Sequence, residues 1–169
     1  MKILEGKKAL ILGIASNRSI AWGISESLRN HGAELAFTYQ NDKLKERVKK
    51  LANESGSEIV LPCDVSLDGS INQMLEKLSD KWNEFDILIH SLAFAPKEEL
   101  EGNYVEKTSK NGFIQAHSIS SYSLLELCQE AQPMLKGTNP SVISLSYLGA
   151  VRGMPNYNVM GCCKSKLRG

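Results

Sequence analysis

Tyr157 and Lys164, seven positions apart, are the two side chains in this sequence best matched to each other for chemistry. On a helix, that spacing is about two turns and puts both on one face. A lysine ammonium held beside a phenol favours the phenolate. The pair therefore predicts a tyrosine of lowered pKa, a proton donor useful near neutrality. The same spacing fits a core tyrosine and a surface lysine, so the reading depends on the elements that position the pair. Upstream, Val142-Ile143-Ser144-Leu145 reads as a short buried strand, and a turn punctuated by Gly149, Gly153 and Pro155 follows it. The helix carrying the pair is expected to start near Pro155.

Stepping along the chain, Lys8 to Gly13 is an apolar strand ending in glycine, and Ser19 is a good N-cap for a helix over 20–30. A second strand is predicted over 33–39, a charged amphipathic helix over 42–52, and a third strand over 57–61. A helix over 67–82, a strand over 85–90, a loop over 91–103 and a long helix over 110–135 complete the series before the fifth strand at 142–145. Regular β-α alternation of this kind implies a Rossmann-type, doubly wound α/β fold: a parallel sheet with helices on both faces. No repeat, low-complexity segment or linker divides the chain, so residues 1–169 are expected to form a single dinucleotide-binding domain.

In such sheets, ligands bind beyond the carboxyl ends of the strands, and four features fall there. Gly13 to Ala21 joins the first strand to its helix; glycine admits a phosphate to the backbone, and the helix N-terminus offers free N–H groups. It reads G-x5-S-x-A rather than the full dinucleotide fingerprint, and an ordinary turn would look the same. Gln40 follows the second strand, where an acidic residue commonly binds the ribose 2′-hydroxyl. Gln40 can bond that hydroxyl and brings no positive charge for a 2′-phosphate, which leans toward NADH, although Lys43 and Lys45 are close in sequence. Asp64-Val65 could hold an adenine amino group and cover its ring, or Asp64 could cap the next turn. The small-residue loop Ser91 to Pro96 could run beside a cofactor ribose and admit an apolar substrate.

Composition removes other classes. With 20 Lys+Arg against 19 Asp+Glu, nothing marks a nucleic-acid or anionic-membrane partner. Charged residues follow Met1 directly, without the apolar stretch of a signal peptide, and no apolar run approaches a membrane span. Cys63, Cys128, Cys162 and Cys163 show no metal-ligand spacing with His31, His90 or His117, so no metal is expected and a reduced, cytoplasmic setting is. Ser146 lacks the G-x-S-x-G elbow of a serine hydrolase.

Taken together, these residues resemble the short-chain dehydrogenase/reductase superfamily and, within it, the bacterial NADH-dependent enoyl-acyl-carrier-protein reductases. That branch has G-x5-S-x-A, here Gly13, Ser19 and Ala21, and Y-x-x-M-x-x-x-K, here Tyr157, Met160 and Lys164. Similar stretches are AELAFTYQNDKLKERV (33–48), CDV (63–65), HSLAFAP (90–96), ISSYS (119–123) and LSYLGA (145–150), so the likeness runs from Gly6 to Lys164.

The resemblance implies roles. Tyr157 would donate to the thioester carbonyl of a trans-2-enoyl substrate carried on acyl carrier protein. Lys164 would bind the nicotinamide ribose and support Tyr157, and Tyr147 would help place the substrate. Gly13, Ser19, Ile20, Gln40, Asp64, Val65 and Leu92 would contact NADH (NAD), and Ala95 would line the acyl entrance. Ser146 and Ser120 would stand roughly where the wider superfamily has its serine and asparagine. Hydride would pass to the substrate β-carbon, in type II fatty acid synthesis. The alternatives are a dehydrogenase acting on another carbonyl substrate, which Tyr147 and the methionine of the motif speak against, and a non-catalytic nucleotide-binding fragment or pseudoenzyme. Family members are usually homotetramers, built through the long helix near 112–130 and the catalytic helix. This chain ends five residues after Lys164, where the family continues for roughly half as much again. The resemblance therefore implies a C-terminally truncated chain that lacks the family's last strands, leaves its fifth strand at a sheet edge and is ill suited to tetramer assembly.

Overall fold

The predicted apolar runs become five strands: β1 Lys8–Leu12, β2 Glu34–Tyr39, β3 Val60–Pro62, β4 Ile87–His90 and β5 Ser141–Ser144. The computed structural model, which describes residues 2–137 and 139–168, orders them β3-β2-β1-β4-β5 in one sheet. β1 pairs in parallel with both β2 and β4; Leu10 stands opposite Ala36 on one side and Leu88 on the other. This is the α/β Rossmann-like arrangement, whose strand order reverses at β1/β4, the crevice where such folds bind ligands. The helices are α1 Ile20–Asn30, α2 Asp42–Glu54, α3 Ser70–Ser79, α4 Tyr104–Lys107, α5 Lys110–His117, α6 Ser123–Ala131 and α7 Asn158–Ser165.

The chain forms two compact units. One comprises residues up to Ser91 with Cys128–Ile143; the other comprises Leu92–Leu127 with the residues from Ser144 on. In the first, Ala9, Ile11, Leu35, Phe37, Ile87 and Ile89 point to the face covered by α1 and α2, meeting Ala21, Trp22, Val48 and Leu51. The intervening Leu10, Leu12 and Leu88 are equally buried, as strands covered on both faces require. Asp86 ties the start of β1 to β4: its carboxylate accepts from Lys7 Nζ at 2.8 Å and from the Lys8 N–H at 2.9 Å. In the second unit, Val159, Met160 and Cys163 pack on Ala116, with Ala95, Leu100 and Tyr157 against them.

Several predicted boundaries are corrected, each by a side chain or a break that outcompetes the pattern. The third strand begins at Val60 rather than 57, because Ser57 Oγ donates to the Leu35 carbonyl and accepts from the Ile59 N–H, which curls the chain before the ladder. The helix predicted over 67–82 is α3 alone; Leu67 closes a turn on Asp64, and left-handed Gly69 precedes the helix. The fourth strand begins at Ile87, not 85, since Phe85 bridges Leu135 instead. The long helix predicted over 110–135 is α5, a π-helical turn over Ser118–Tyr122, and α6, and it stops at Ala131 ahead of Pro133. α4 and a 3-10 turn at Lys97–Glu99 lie in the segment read as loop or left unassigned. β5 is not buried: Val142 is 41% and Ile143 44% exposed, because β5 ends the sheet. The last helix starts at Asn158, after Asn156 takes a left-handed conformation.

Candidate active site

In the first unit, the turn after β1 is shaped by close packing. Gly13 has φ 95°, and a Cβ there would overlap the carbonyl of Ser91, whose N–H bonds Leu12 O at 3.1 Å. A glycine at this position lets the exit of β4 lie against the turn. Ser19 caps α1 as predicted, its Oγ accepting from the Trp22 N–H at 3.3 Å and donating to Ser16 O at 2.7 Å. The first-turn N–H groups of Ile20 and Ala21 have no acceptor within the helix, which suits a phosphate at the positive end of its dipole. Ile20 is 68% exposed at that end. Arg47, which the sequence did not single out, reaches from α2 to Ala15 O at 3.1 Å and braces the turn. Past β2 and β3, Gln40 Nε2 donates to Asp64 Oδ2 at 3.2 Å, and the half-buried Val65 follows. Asp64 also accepts from Ser66 N and Oγ, so it caps the turn that follows β3.

In the second unit, Lys164 is 5% exposed, and its ammonium donates to Leu92 O at 3.1 Å. Two residues predicted from separate motifs thus meet. Among the described residues, Leu92 O is the ammonium's single hydrogen-bond acceptor. Tyr157 and Tyr147 also come together, with ring centroids 4.7 Å apart and planes at 55°. Gly149 permits this, since a Cβ there would overlap the Tyr157 ring. Ser120 is wholly buried in the π-helical turn, accepting from Phe94 N at 3.0 Å and within 3.1 Å of Phe94 O; it holds the backbone next to Ala95. π-bulges of this kind commonly re-aim side chains at functional sites. Ser146 Oγ is turned to Lys164 O at 3.4 Å. Tyr104, another residue the sequence gave no sign of, lies 3.4 Å from Cys162 Sγ across 58 positions and joins Tyr157 and Arg152 along an open groove.

The electrostatics correct one expectation. Burial, with Tyr147 and then Cys163 adding to it, pushes the Tyr157 phenol above the ordinary tyrosine value. Burial also pulls Lys164 down, opposed by Cys163. The predicted lowering of Tyr157 by Lys164 fails for a geometric reason. Tyr157 is the residue before α7, at φ −126°, so the helical-face spacing does not apply to it, and the ammonium is turned to Leu92. Tyr157 is therefore a protonated donor at neutral pH. Among the described residues, no group of three or more His, Cys, Asp or Glu is placed to hold a metal ion, and no helix is long and apolar enough to cross a membrane.

Residues 13–169 match the family model described as enoyl-(acyl carrier protein) reductase. Among curated proteins, the Neisseria meningitidis enoyl-[acyl-carrier-protein] reductase [NADH] FabI is 53% identical over 167 residues, 99% of this chain and 64% of that protein. The Escherichia coli protein of the same description is 50% identical over 169 residues, 99% of this chain and 63% of its own length. Among solved structures, the Aquifex aeolicus enoyl-[acyl-carrier-protein] reductase (NADH) superposes with TM-score 0.94 at 48% identity, covering 97% of this chain and 65% of that one. The Anaplasma phagocytophilum reductase in complex with NAD superposes with TM-score 0.92 at 41% identity, covering 97% and 62%. The chain thus spans just under two thirds of the length of the relatives it matches. Motifs, strand order and matched length agree: this chain belongs to the enoyl-(acyl carrier protein) reductase family.

Proposed function

We propose that this chain carries the dinucleotide-binding and proton-donating residues of an NADH-dependent enoyl-acyl-carrier-protein reductase, acting on trans-2-enoyl thioesters in fatty acid synthesis. The observation that carries the reading is Lys164: a buried ammonium has three protons to donate and, among the described residues, one acceptor, Leu92 O. Two donors remain for a pair of vicinal hydroxyls, which is what a nicotinamide ribose presents. In the first unit, the first-turn N–H groups of Ile20 and Ala21 suit a pyrophosphate, with Gly13 and Ser19 shaping the turn around them. Gln40, Asp64 and Val65 suit the adenosine end. NADH, when bound, supplies the hydride.

Tyr157 does the chain's own chemical work. As hydride reaches the β-carbon, negative charge develops on the thioester oxygen, and a fixed phenolic O–H pointed there stabilises it. The raised pKa keeps that proton in place at neutral pH. Tyr147, packed on the Tyr157 ring, orients it, and Ala95, held beside the Ser120 clasp, borders the acyl chain. Exposed Ile114 on α5 and Leu125 on α6 lie on the long helix through which full-length members of the family assemble, and this chain is proposed not to complete that tetramer.

The test is consumption of NADH by the chain with a short trans-2-enoyl thioester. Tyr157→Phe should lower kcat about 10²–10³-fold with NADH affinity unchanged. Turnover that survives the substitution would remove Tyr157 from the mechanism. The exposed Val142 and Ile143 on β5 favour a second reading, a chain that binds nucleotide without catalysis, and binding with no turnover under any condition would select it.

A further inference from the structure

Gln40 and Asp64 lie 24 positions apart, and each was read from sequence as a separate ligand contact, yet they are bonded to each other. Gln40 Nε2 donates to Asp64 Oδ2 at 3.2 Å. The other carboxylate oxygen is taken by the Ser66 N–H at 3.0 Å and Ser66 Oγ at 2.7 Å, and the Asp64 N–H donates to Ser70 Oγ at 2.9 Å. The loop after β3 therefore fixes this carboxylate independently of Gln40. A carboxylate accepts and does not donate. The exposed Gln40 amide must turn its nitrogen to Asp64, which leaves Oε1 as the free end; among the described residues nothing donates to it.

We propose that Asp64 selects the dinucleotide by locking the Gln40 amide, so that an acceptor is presented where this fold places the adenine-side ribose. The inference rests on the NADH-binding reading above and adds how NADPH is refused. A ribose 2′-hydroxyl has a proton for Gln40 Oε1. A 2′-phosphate has mostly none at neutral pH. It meets an amide oxygen that cannot turn away, with a carboxylate behind it. The adjacent Lys45 offers little relief, its ammonium lying 5.8 Å over the Tyr39 ring. Discrimination therefore comes from a fixed hydrogen-bond polarity together with charge.

The experiment measures Kd for NADH and for NADPH by reduced-nicotinamide fluorescence on the wild-type chain and on Asp64→Asn, Gln40→Leu and the double variant. Circular dichroism and a thermal melt verify that each is folded. The wild type should bind NADPH at least about tenfold more weakly than NADH. Asp64→Asn frees the amide to turn, and the selectivity ratio should fall at least fivefold. In the Gln40→Leu background, where no amide remains to be locked, the same change should move the ratio less than twofold. Gln40→Leu removes only an exposed side chain and tests the idea even if Asp64→Asn fails to fold, since it should by itself erase most of the selectivity. An unchanged ratio in either single variant, or equal effects of Asp64→Asn in both backgrounds, overturns the lock and leaves dinucleotide binding standing. A folded wild type that binds neither nucleotide overturns the NADH-binding reading, and the lock falls with it.

Discussion

Tyr157 shows how burial decides the chemistry of a single residue. Its donor function needs a proton that stays on, and burial beside Tyr147 supplies this by holding the pKa above the usual 10.0. A group that works protonated is active below its pKa and fails above it. The alkaline limb of kcat should accordingly lie above pH 10 in a folded chain and should disappear in Tyr157→Phe; a limb near neutrality would show a phenol acidified by Lys164 instead. The sequence made the Tyr157–Lys164 pairing visible, but not the direction of the shift. Spacing reports which side chains are neighbours on an ideal helix. It does not report that Tyr157 sits just before the first helical residue, or that Lys164 turns its ammonium to a carbonyl 72 positions upstream. The Gln40–Asp64 and Tyr104–Cys162 contacts were invisible for the same reason: side chains meeting across such separations leave no local pattern.

At the scale of elements, the strands of the first unit were legible as short continuous apolar runs buried on both faces, and its helices because their buried positions recur at helical spacing. Boundaries were misjudged where side chains compete with the backbone, as Ser57 does ahead of β3 and as Ser123 does at the start of α6, its Oγ donating to Ile119 O in the π-helical turn. The β1–β4 junction makes two predictions. Gly13→Ala should cost about 1–2 kcal/mol from its left-handed conformation alone, and more from overlap with the Ser91 carbonyl. Gly6→Ala is the control: it has φ 76° and nothing within 4 Å of a Cβ, and it should show the conformational part only. Equal losses in urea titrations would mean that the Ser91 approach is not tight. Asp86 sets the acid response. Burial alone would raise its pKa, but the bond from Lys7, that from the Lys8 N–H and the charges of Lys7 and Lys136 outweigh burial and hold it below 3.8. A depressed carboxyl contributes stability above its unfolded pKa and loses it as pH falls through the folded one. Asp86→Asn should destabilise the chain by about 1.5–3 kcal/mol at neutral pH. Its deficit relative to wild type should shrink as pH drops below the ordinary carboxyl range. A deficit that is constant with pH would assign the loss to packing.

The whole molecule poses one question, whether this length of chain is a working binding unit. Its sheet has the order β3-β2-β1-β4-β5, and its core strands are covered on both faces, yet β5 shows two large apolar side chains to solvent. The relatives it matches are longer by more than a third of their own length. Each unit nonetheless has its own local geometry: in the first, the braced turn at Gly13 and the Gln40–Asp64 pair; in the second, Lys164 on Leu92 and Tyr157 on Tyr147. The most direct measurement is a thermal melt of the 169-residue chain with and without millimolar NADH. A ligand that binds only the native state at about 100 times its Kd adds about 2.7 kcal/mol, a rise of roughly 5–10 °C for a chain of this size. The account predicts a cooperative transition raised by that amount, equally in Tyr157→Phe and much less in Lys164→Ala. A cooperative transition that NADH leaves unmoved would contradict it.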